Sequence, residues 1–345
     1  MNRNILVKYP RRCFLRSFLK GIAKFLVNLL VDVKIHGLEN LLPKGPYIVI
    51  GNHVSALEPI LMLMIVPHQL EYLGTGDIPI DPRMSLFTKL YGFIPIMRGQ
   101  VDQSGLNAAL SILDQNGVLG IFPEGGIWEK NLKEPKMGTS WIAYKSKATI
   151  IPIGFIEMNG ALKKALSLKR PTVKINIGKP ISNESMFQYE TSIKSMMVNS
   201  SNLIMDRLAE LLPPEEIINP DQHKPKHLKY IGKTIIDGAL MEIHFNNEED
   251  FQELIEHPVI MDVFKRNLKL PVKPLIARDK FEEVENVLKS LYQITNYLEK
   301  NPGFLTYRFG IDKAIHMKNA ISNLVLILEN QFNSKDEFSI DVFKE

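Results

Sequence analysis

Between Tyr47 and about Ile181, short β-rich runs alternate with helical patterns, and this alternation narrows the available folds more than any other feature of the chain. Tyr47 to Ile50, Gly92 to Met97, Val118 to Phe122, Thr149 to Phe155 and Thr172 to Ile177 read as strands. Pro59 to Ile65, Gly105 to Leu113 and Thr139 to Lys147 between them read as helices. Strands spaced by helices call for an α/β sheet with crossover connections. Pro213-Pro214 and the stretch from Asn219-Pro220 to Pro225 then punctuate the chain as a boundary. Beyond it Phe251 to Lys265, Phe281 to Glu299 and Asp312 to Phe332 read as helices, so the last part is expected to be a mainly helical accessory module. The expected organisation is a basic amphipathic helix over 1–34, an α/β domain over 35–218 and the accessory module over 219–345.

Length and composition are compatible with this division. The 345 residues are 45% apolar and 23% charged, with 21 Gly and 21 Pro, which excludes collagenous and disordered classes. One cysteine, Cys13, allows no internal disulfide and no thiolate cage, so a cytoplasmic setting is expected. The formal net charge of +4 is unevenly placed: residues 1–36 hold eight Lys/Arg against one Asp, residues 37–219 balance at 17 each, and residues 220–345 hold 17 against 20 acids. A basic surface for nucleic acid is not expected, whereas local attachment to an anionic surface is.

The segment Cys13 to Val33 carries that local excess. At about 100° per residue, Phe14, Leu15, Phe18, Leu19, Ile22, Phe25, Leu26 and Leu29 share one face, and Arg12, Arg16, Lys20 and Lys24 the other. Lys20, Lys24 and Asn28 interrupt a run that would need roughly 18 to 20 apolar residues to span a bilayer. Asp32-Val33-Lys34 follows in place of a small-residue cleavage site. The pattern fits a helix lying in the membrane plane. A helix packed on its own domain with its lysines in solvent has the same signature.

His53 stands out among eight histidines. It follows a predicted strand at a Gly51-Asn52 turn, and Glu58 stands five residues on, just before Pro59. On one helix those two side chains would point about 140° apart, so they meet only across a bend. Pro59 fits the first helical position and is expected to push Glu58 into an extended conformation. A carboxylate on one imidazole nitrogen would leave the other as a general base. Phe122-Pro123-Glu124-Gly125-Gly126 forms a second cluster straight after a strand, where its N–H groups could meet an oxyanion and Glu124 could hold polyol hydroxyls. Arg98, closing Gly92 to Arg98, suits a phosphate.

In this order the blocks resemble the phospholipid and glycerolipid acyltransferase superfamily of the glycerophosphate acyltransferase type, over about residues 35 to 182. Its Asn-His-x4-Asp block is similar to Asn52-His53 through Glu58, and its Gly-x-Ile-x-x-x-Arg block to Gly92 through Arg98. Its Phe-Pro-Glu-Gly block matches Phe122 to Gly125, and its Val-Pro-Ile-like block Ile151-Pro152-Ile153. The resemblance implies an acyltransferase-type mixed sheet flanked by helices, peripheral on the cytoplasmic face of a membrane. It implies transfer of a fatty acyl group from acyl-CoA or acyl carrier protein to a lysophospholipid or glycerol phosphate, without metal or redox cofactor. His53 would be the general base and Glu58 its partner, Arg98 would bind acceptor phosphate, and Glu124, Gly125, Gly126 and Lys136 would line the acceptor site.

The chain also departs from the family. Glu58 replaces Asp, Gly126 replaces the usual Thr, and Ile127-Trp128 replaces a stretch that often holds Arg or Ser. Lys136 is a candidate substitute cation. These departures keep open a catalytically weak lipid-binding scaffold and a phosphate-independent transferase or thioester hydrolase. His223 and His227 flank Pro225, which breaks the helical spacing a metal pair prefers.

Overall fold

The computed structural model describes residues 7–82, 85–126, 135–187, 192–217, 228–236, 239–243, 248–274, 281–333 and 335–344. Ile127, Trp128, His223, Pro225 and His227 lie outside them. The chain divides into two compact units, the first from 1–74, 86–96 and 102–221, the second from 75–85, 97–101 and 222–345.

In the first unit α1 (Cys13–Leu30) leads into β1 (Asp32–His36), then β2 (Tyr47–Gly51), α2 (Glu58–Ile65), β3 (Leu70–Thr75), α3 (Ser85–Tyr91), β4 (Ile94–Ile96) and α4 (Gln103–Asp114). There follow β5 (Val118–Ile121), α5 (Gly138–Ser146), β6 (Thr149–Ile156), α6 (Ala161–Leu166), β7 (Thr172–Ile177), α7 (Asn183–Met186), α8 (Ile193–Ala209) and α9 (Pro214–Ile217). The seven strands form one sheet in the order β1-β7-β6-β2-β5-β3-β4. β2 runs parallel to β5 and β6, β5 parallel to β3 and β1 parallel to β7, while β6 and β7 are antiparallel. The fold is therefore α/β with a mixed sheet.

Every residue of β2 is buried, as a strand covered on both faces requires. Tyr47 and Val49 pack with Leu61 and Met62 of α2 and Val27 of α1 on one face. Ile48 and Ile50 pack with Ala109 and Ile112 of α4, Ile142 of α5 and Ile204 of α8 on the other. The period of two along β2 thus sorts its side chains into two cores and makes a three-layer sandwich.

α1 packs with its polar side inward. Arg16 is 1% exposed, while Phe14 is 89%, Phe25 68%, Leu29 59% and Phe18 58% exposed. The buried Arg16 guanidinium forms an ion pair with Glu71 of β3, donates to the Tyr91 carbonyl at 2.9 Å and lies 4.5 Å from the Tyr91 ring centroid. Arg11 reaches the same carboxylate at 2.8 Å, and Lys20 donates to the Val66 carbonyl. Leu19, Val27 and Leu30 complete the inner face. Of the alternative with an apolar contact and lysines in solvent, Lys24 is exposed but most of the aromatic face is not packed, because Glu71 supplies an anionic anchor for Arg16 that the helix's own pattern does not reveal.

Several elements differ from the periodicity reading. Residues 32–36 are an edge strand and not the tail of the first helix. β3 and the long α8 join the unit, α8 starting at Ser192, whose side chain accepts from the Ser195 N–H. In the second unit a sheet of order β10-β11-β8-β9 accompanies the helices, built from β8 (Leu228–Ile236), β9 (Ala239–Ile243), β10 (Glu282–Glu283) and β11 (Glu337–Lys344). The expected helix over Phe251 to Lys265 is two helices, α10 (Glu248–Glu256) and α11 (Val259–Asn267), because Pro258 caps the second and cannot continue the first. α12 (Val284–Lys300), α13 (Gly303–Phe309) and α14 (Ile311–Gln331) follow.

Removing one partner of a buried ion pair leaves an uncompensated charge, so Arg16→Met is expected to cost about 3 kcal/mol. Arg16→Met/Glu71→Gln should cost less than the single substitution. Denaturant titration checks both, and equal stability of Arg16→Met and the native chain would remove Glu71 as the anchor.

Candidate active site

β2 and β5 lie side by side and parallel, so their carboxyl ends release two loops at the same sheet edge. The first begins at Gly51, where a Cβ would stand 2.6 Å from the Phe155 ring. The Asn52 amide extends the pairing one residue further: Nδ2 donates to the Phe155 carbonyl at 2.8 Å and Oδ1 accepts from the Phe155 N–H at 2.8 Å. His53 follows this clamp directly.

Two buried carboxylates hold the histidine. Glu58, wholly buried, places Oε2 3.3 Å from His53 Nδ1, and the imidazole side chain keeps 15% exposure. The same carboxylate accepts from the Ser55 N–H at 3.0 Å and from the Val54 N–H at 3.3 Å. Glu124, 3% exposed, accepts from the His53 N–H at 2.9 Å. Phe122 stacks on the imidazole with centroids 4.1 Å apart and planes 20° from parallel. Asn52, His53, Glu58, Phe122 and Glu124 are thus gathered in the first unit from two sequence-distant motifs.

The corner between His53 and Glu58 is made differently from the expectation. Glu58 is the first residue of α2 and Pro59 the second, and Leu57 before them has φ −85° and ψ −30°, already helical. Glu58 is therefore not extended. Residues 54–57 make the bend, tied by the Glu58 carboxylate and by Ser55 Oγ, which accepts from the Leu57 N–H at 3.1 Å. Proline is tolerated in the first turn because its missing N–H has no intrahelical partner there.

The Phe122 to Gly126 turn also has a tighter structure than the sequence suggests. Gly125 and Gly126 have φ of 77° and 145°, where a side chain would be strained. The Gly125 N–H donates to the Phe122 carbonyl at 3.0 Å and so closes the turn, which removes it as an oxyanion donor in this conformation. Glu124 spends one oxygen on the His53 backbone, a role sequence reasoning did not assign. The Lys136 N–H donates to the Pro123 carbonyl at 3.0 Å, which brings that residue to the same loop.

Arg98 belongs to the second unit. Its Nε donates to Asp77 Oδ1 at 2.7 Å and its Nη2 to Thr75 Oγ1 at 2.7 Å. Burial opposes ionisation of Asp77, yet Arg98 and Arg308 hold its carboxyl below the usual carboxylate range. Asp77 and Arg308 carried no sequence signal, since they stand 21 and 210 residues from Arg98.

Residues 32–156 match the family model described as Acyltransferase. A 1-acyl-sn-glycerol-3-phosphate acyltransferase of Bacillus subtilis is 23% identical over 196 residues, covering 56% of this chain and 96% of that protein. One of Saccharomyces cerevisiae is 26% identical over 252 residues, covering 69% and 80%. An N-acylphosphatidylethanolamine synthase of Arabidopsis thaliana is 27% identical over 213 residues, covering 53% and 75%. Among solved structures, the 1-acyl-sn-glycerophosphate acyltransferase of Thermotoga maritima aligns with a TM-score of 0.43 and 18% identity, over 60% of this chain and 85% of that one. Residues 32–156 are thus an acyltransferase domain. The chain is an acyltransferase similar to those of the 1-acylglycerol-3-phosphate type.

Asn52→Ala deletes both bonds to Phe155 and orphans a buried N–H and a carbonyl, so a loss of about 2 kcal/mol is expected in chemical denaturation. Asn52→Asp should cost no less, since a carboxylate would face the Phe155 carbonyl. A neutral result for both would show that the clamp does not hold the loop.

Proposed function

We propose that the chain transfers a fatty acyl group from acyl-CoA or acyl carrier protein to the hydroxyl of a lysophospholipid or glycerol phosphate, with His53 as general base. The observation that carries the proposal is the contact of the buried Glu58 carboxylate with His53 Nδ1. A proton held on Nδ1 leaves the Nε2 lone pair to take the acceptor's hydroxyl proton as that oxygen attacks the thioester carbonyl. The thiolate leaves as the tetrahedral intermediate collapses, and it takes the proton back from the imidazolium. Glu58 stabilises the imidazolium between those transfers, and Glu124 fixes the backbone that carries the ring. Arg98 binds the acceptor phosphate in this reading, by its place in the motif, and Gly125, Gly126 and Lys136 line the acceptor loop.

Thiol release from the donor, with and without acceptor, tests the chemistry. His53→Ala should lower kcat by about a thousandfold or more, and Glu58→Gln by about a hundredfold with little change in acceptor KM. Acceptor-independent release would favour a thioester hydrolase instead. Retained turnover in His53→Ala would end the general-base reading.

The same proposal places the protein peripherally on the cytoplasmic face of a membrane. Among the described residues no helix is long and apolar enough to cross one. Phe14, Phe18, Phe25 and Leu29 stand outward on α1, next to exposed Arg12 and Lys24, a combination suited to an anionic lipid surface. Phe14→Ser/Phe18→Ser/Phe25→Ser retains the Arg16 anchor and should cut sedimentation with acidic vesicles at least tenfold, by the loss of about 2 kcal/mol or more of burial per ring. Undiminished sedimentation would dismiss α1 as the docking element.

A further inference from the structure

Within the second unit, Arg98 shares the Asp77 carboxylate with Arg308 of α13, and the backbone after Arg98 lies against the start of the same helix. Asp77 is 3% exposed and carries two guanidinium groups, Arg98 Nε on Oδ1 at 2.7 Å and Arg308 Nη2 on Oδ2 at 2.6 Å. The Arg308 side chain is fully buried, with its guanidinium 3.7 Å from the Phe304 ring centroid, and Tyr297 of α12 donates to the Asp77 carbonyl. Next to Arg98, Gly99 has φ 88°, and a Cβ there would lie 2.6 Å from the Gly303 carbonyl oxygen. A Cβ on Gly303, the first residue of α13, would lie 2.8 Å from the Gly99 oxygen, so both positions need glycine for the two backbones to meet.

A lone carboxylate paired with Arg98 would cancel the charge that a phosphate is meant to find. A second buried guanidinium on the same carboxylate restores one net positive charge to the group. Burial and the nearby Arg98 lower Arg308 to about 10, which leaves it protonated at neutral pH. Arg98 itself keeps 13% exposure, whereas Arg308 keeps none, so only the former is offered to a ligand.

We propose that Arg308 is a positioning residue of the accessory module which, by offsetting Asp77, sets the charge that Arg98 presents to a phosphate monoester on the acceptor. This rests on the reading of Arg98 as the acceptor-phosphate ligand. It gives the module a chemical task in acceptor selection.

The test uses the full chain and a lysophospholipid bearing a terminal phosphate, at low ionic strength. Arg308→Gln keeps a donor for Asp77 but removes the charge, and should raise acceptor KM about tenfold with kcat within about twofold. Adding Asp77→Asn should return KM to within about threefold of the native value, because one positive charge is again left on the group. A packing role would give no such recovery. An unchanged KM in Arg308→Gln, or a double variant no better than the single one, overturns the proposal. Arg98→Gln is measured alongside: if it too leaves KM unchanged, the phosphate reading of Arg98 fails and this inference falls with it. If Arg308→Gln does not fold, Asp77→Asn is compared with Asp77→Asn/Arg308→Gln. The charge at position 308 should then lower KM several-fold, and equal values overturn the proposal.

Discussion

The histidine loop is held because two buried carboxylates spend their oxygens on it. Glu124 takes the His53 N–H, while Glu58 takes Nδ1 and two N–H groups of the following bend. Neither acid could be buried without such donors, since an unpaired carboxylate in the interior costs several kcal/mol. The donors to Glu58 come from its own loop, whereas Glu124 reaches His53 because β2 and β5 are parallel neighbours whose ends coincide. Sheet topology, loop geometry and imidazole orientation are therefore one constraint met at three scales.

A third buried acid governs the periphery. Glu71 draws Arg11 and Arg16 inward and so turns the aromatic side of α1 away from the domain. The electrostatic anchor and the exposed hydrophobic surface have the same cause: one helix cannot bury both faces against a single neighbour. The same device recurs around Asp77, where two arginines from distant parts of the chain share one carboxylate. In each place a charged pair fixes what hydrophobic packing leaves undetermined, which is the orientation of an element about its own axis.

What could be read from the sequence follows from range. β2, β5, β6 and β7 are dense in β-branched residues bounded by Gly, Pro or Asn, so their local pattern suffices. His53 and Glu58 lie five apart and Phe122 to Gly125 are contiguous, so both motifs could be seen before any fold was known. Pairings of long range could not. Arg16 and Glu71 are 55 residues apart, and a buried arginine on an amphipathic helix reads like a solvated one. α8 carries serines and asparagine through its length, which weakens the helical period although Ser192 was a legible cap. The β8 and β9 strands flank Asp237-Gly238, a dipeptide that signals a hairpin and could have revealed them. The corner at Glu58 was foreseen for the wrong reason, since proline marks the first turn of α2 while serine and the carboxylate itself shape the bend.

The central claim is that Glu58 keeps the proton of neutral His53 on Nδ1 and leaves Nε2 basic. Nitrogen NMR of the protein with labelled histidine, with the His53 signals assigned by their loss in His53→Ala, reads that proton position directly. With the ring neutral, the account predicts a protonated Nδ1 and an unprotonated Nε2, with the preference weakened in Glu58→Gln. A proton resident on Nε2 in the native chain, or a tautomer indifferent to residue 58, would contradict it.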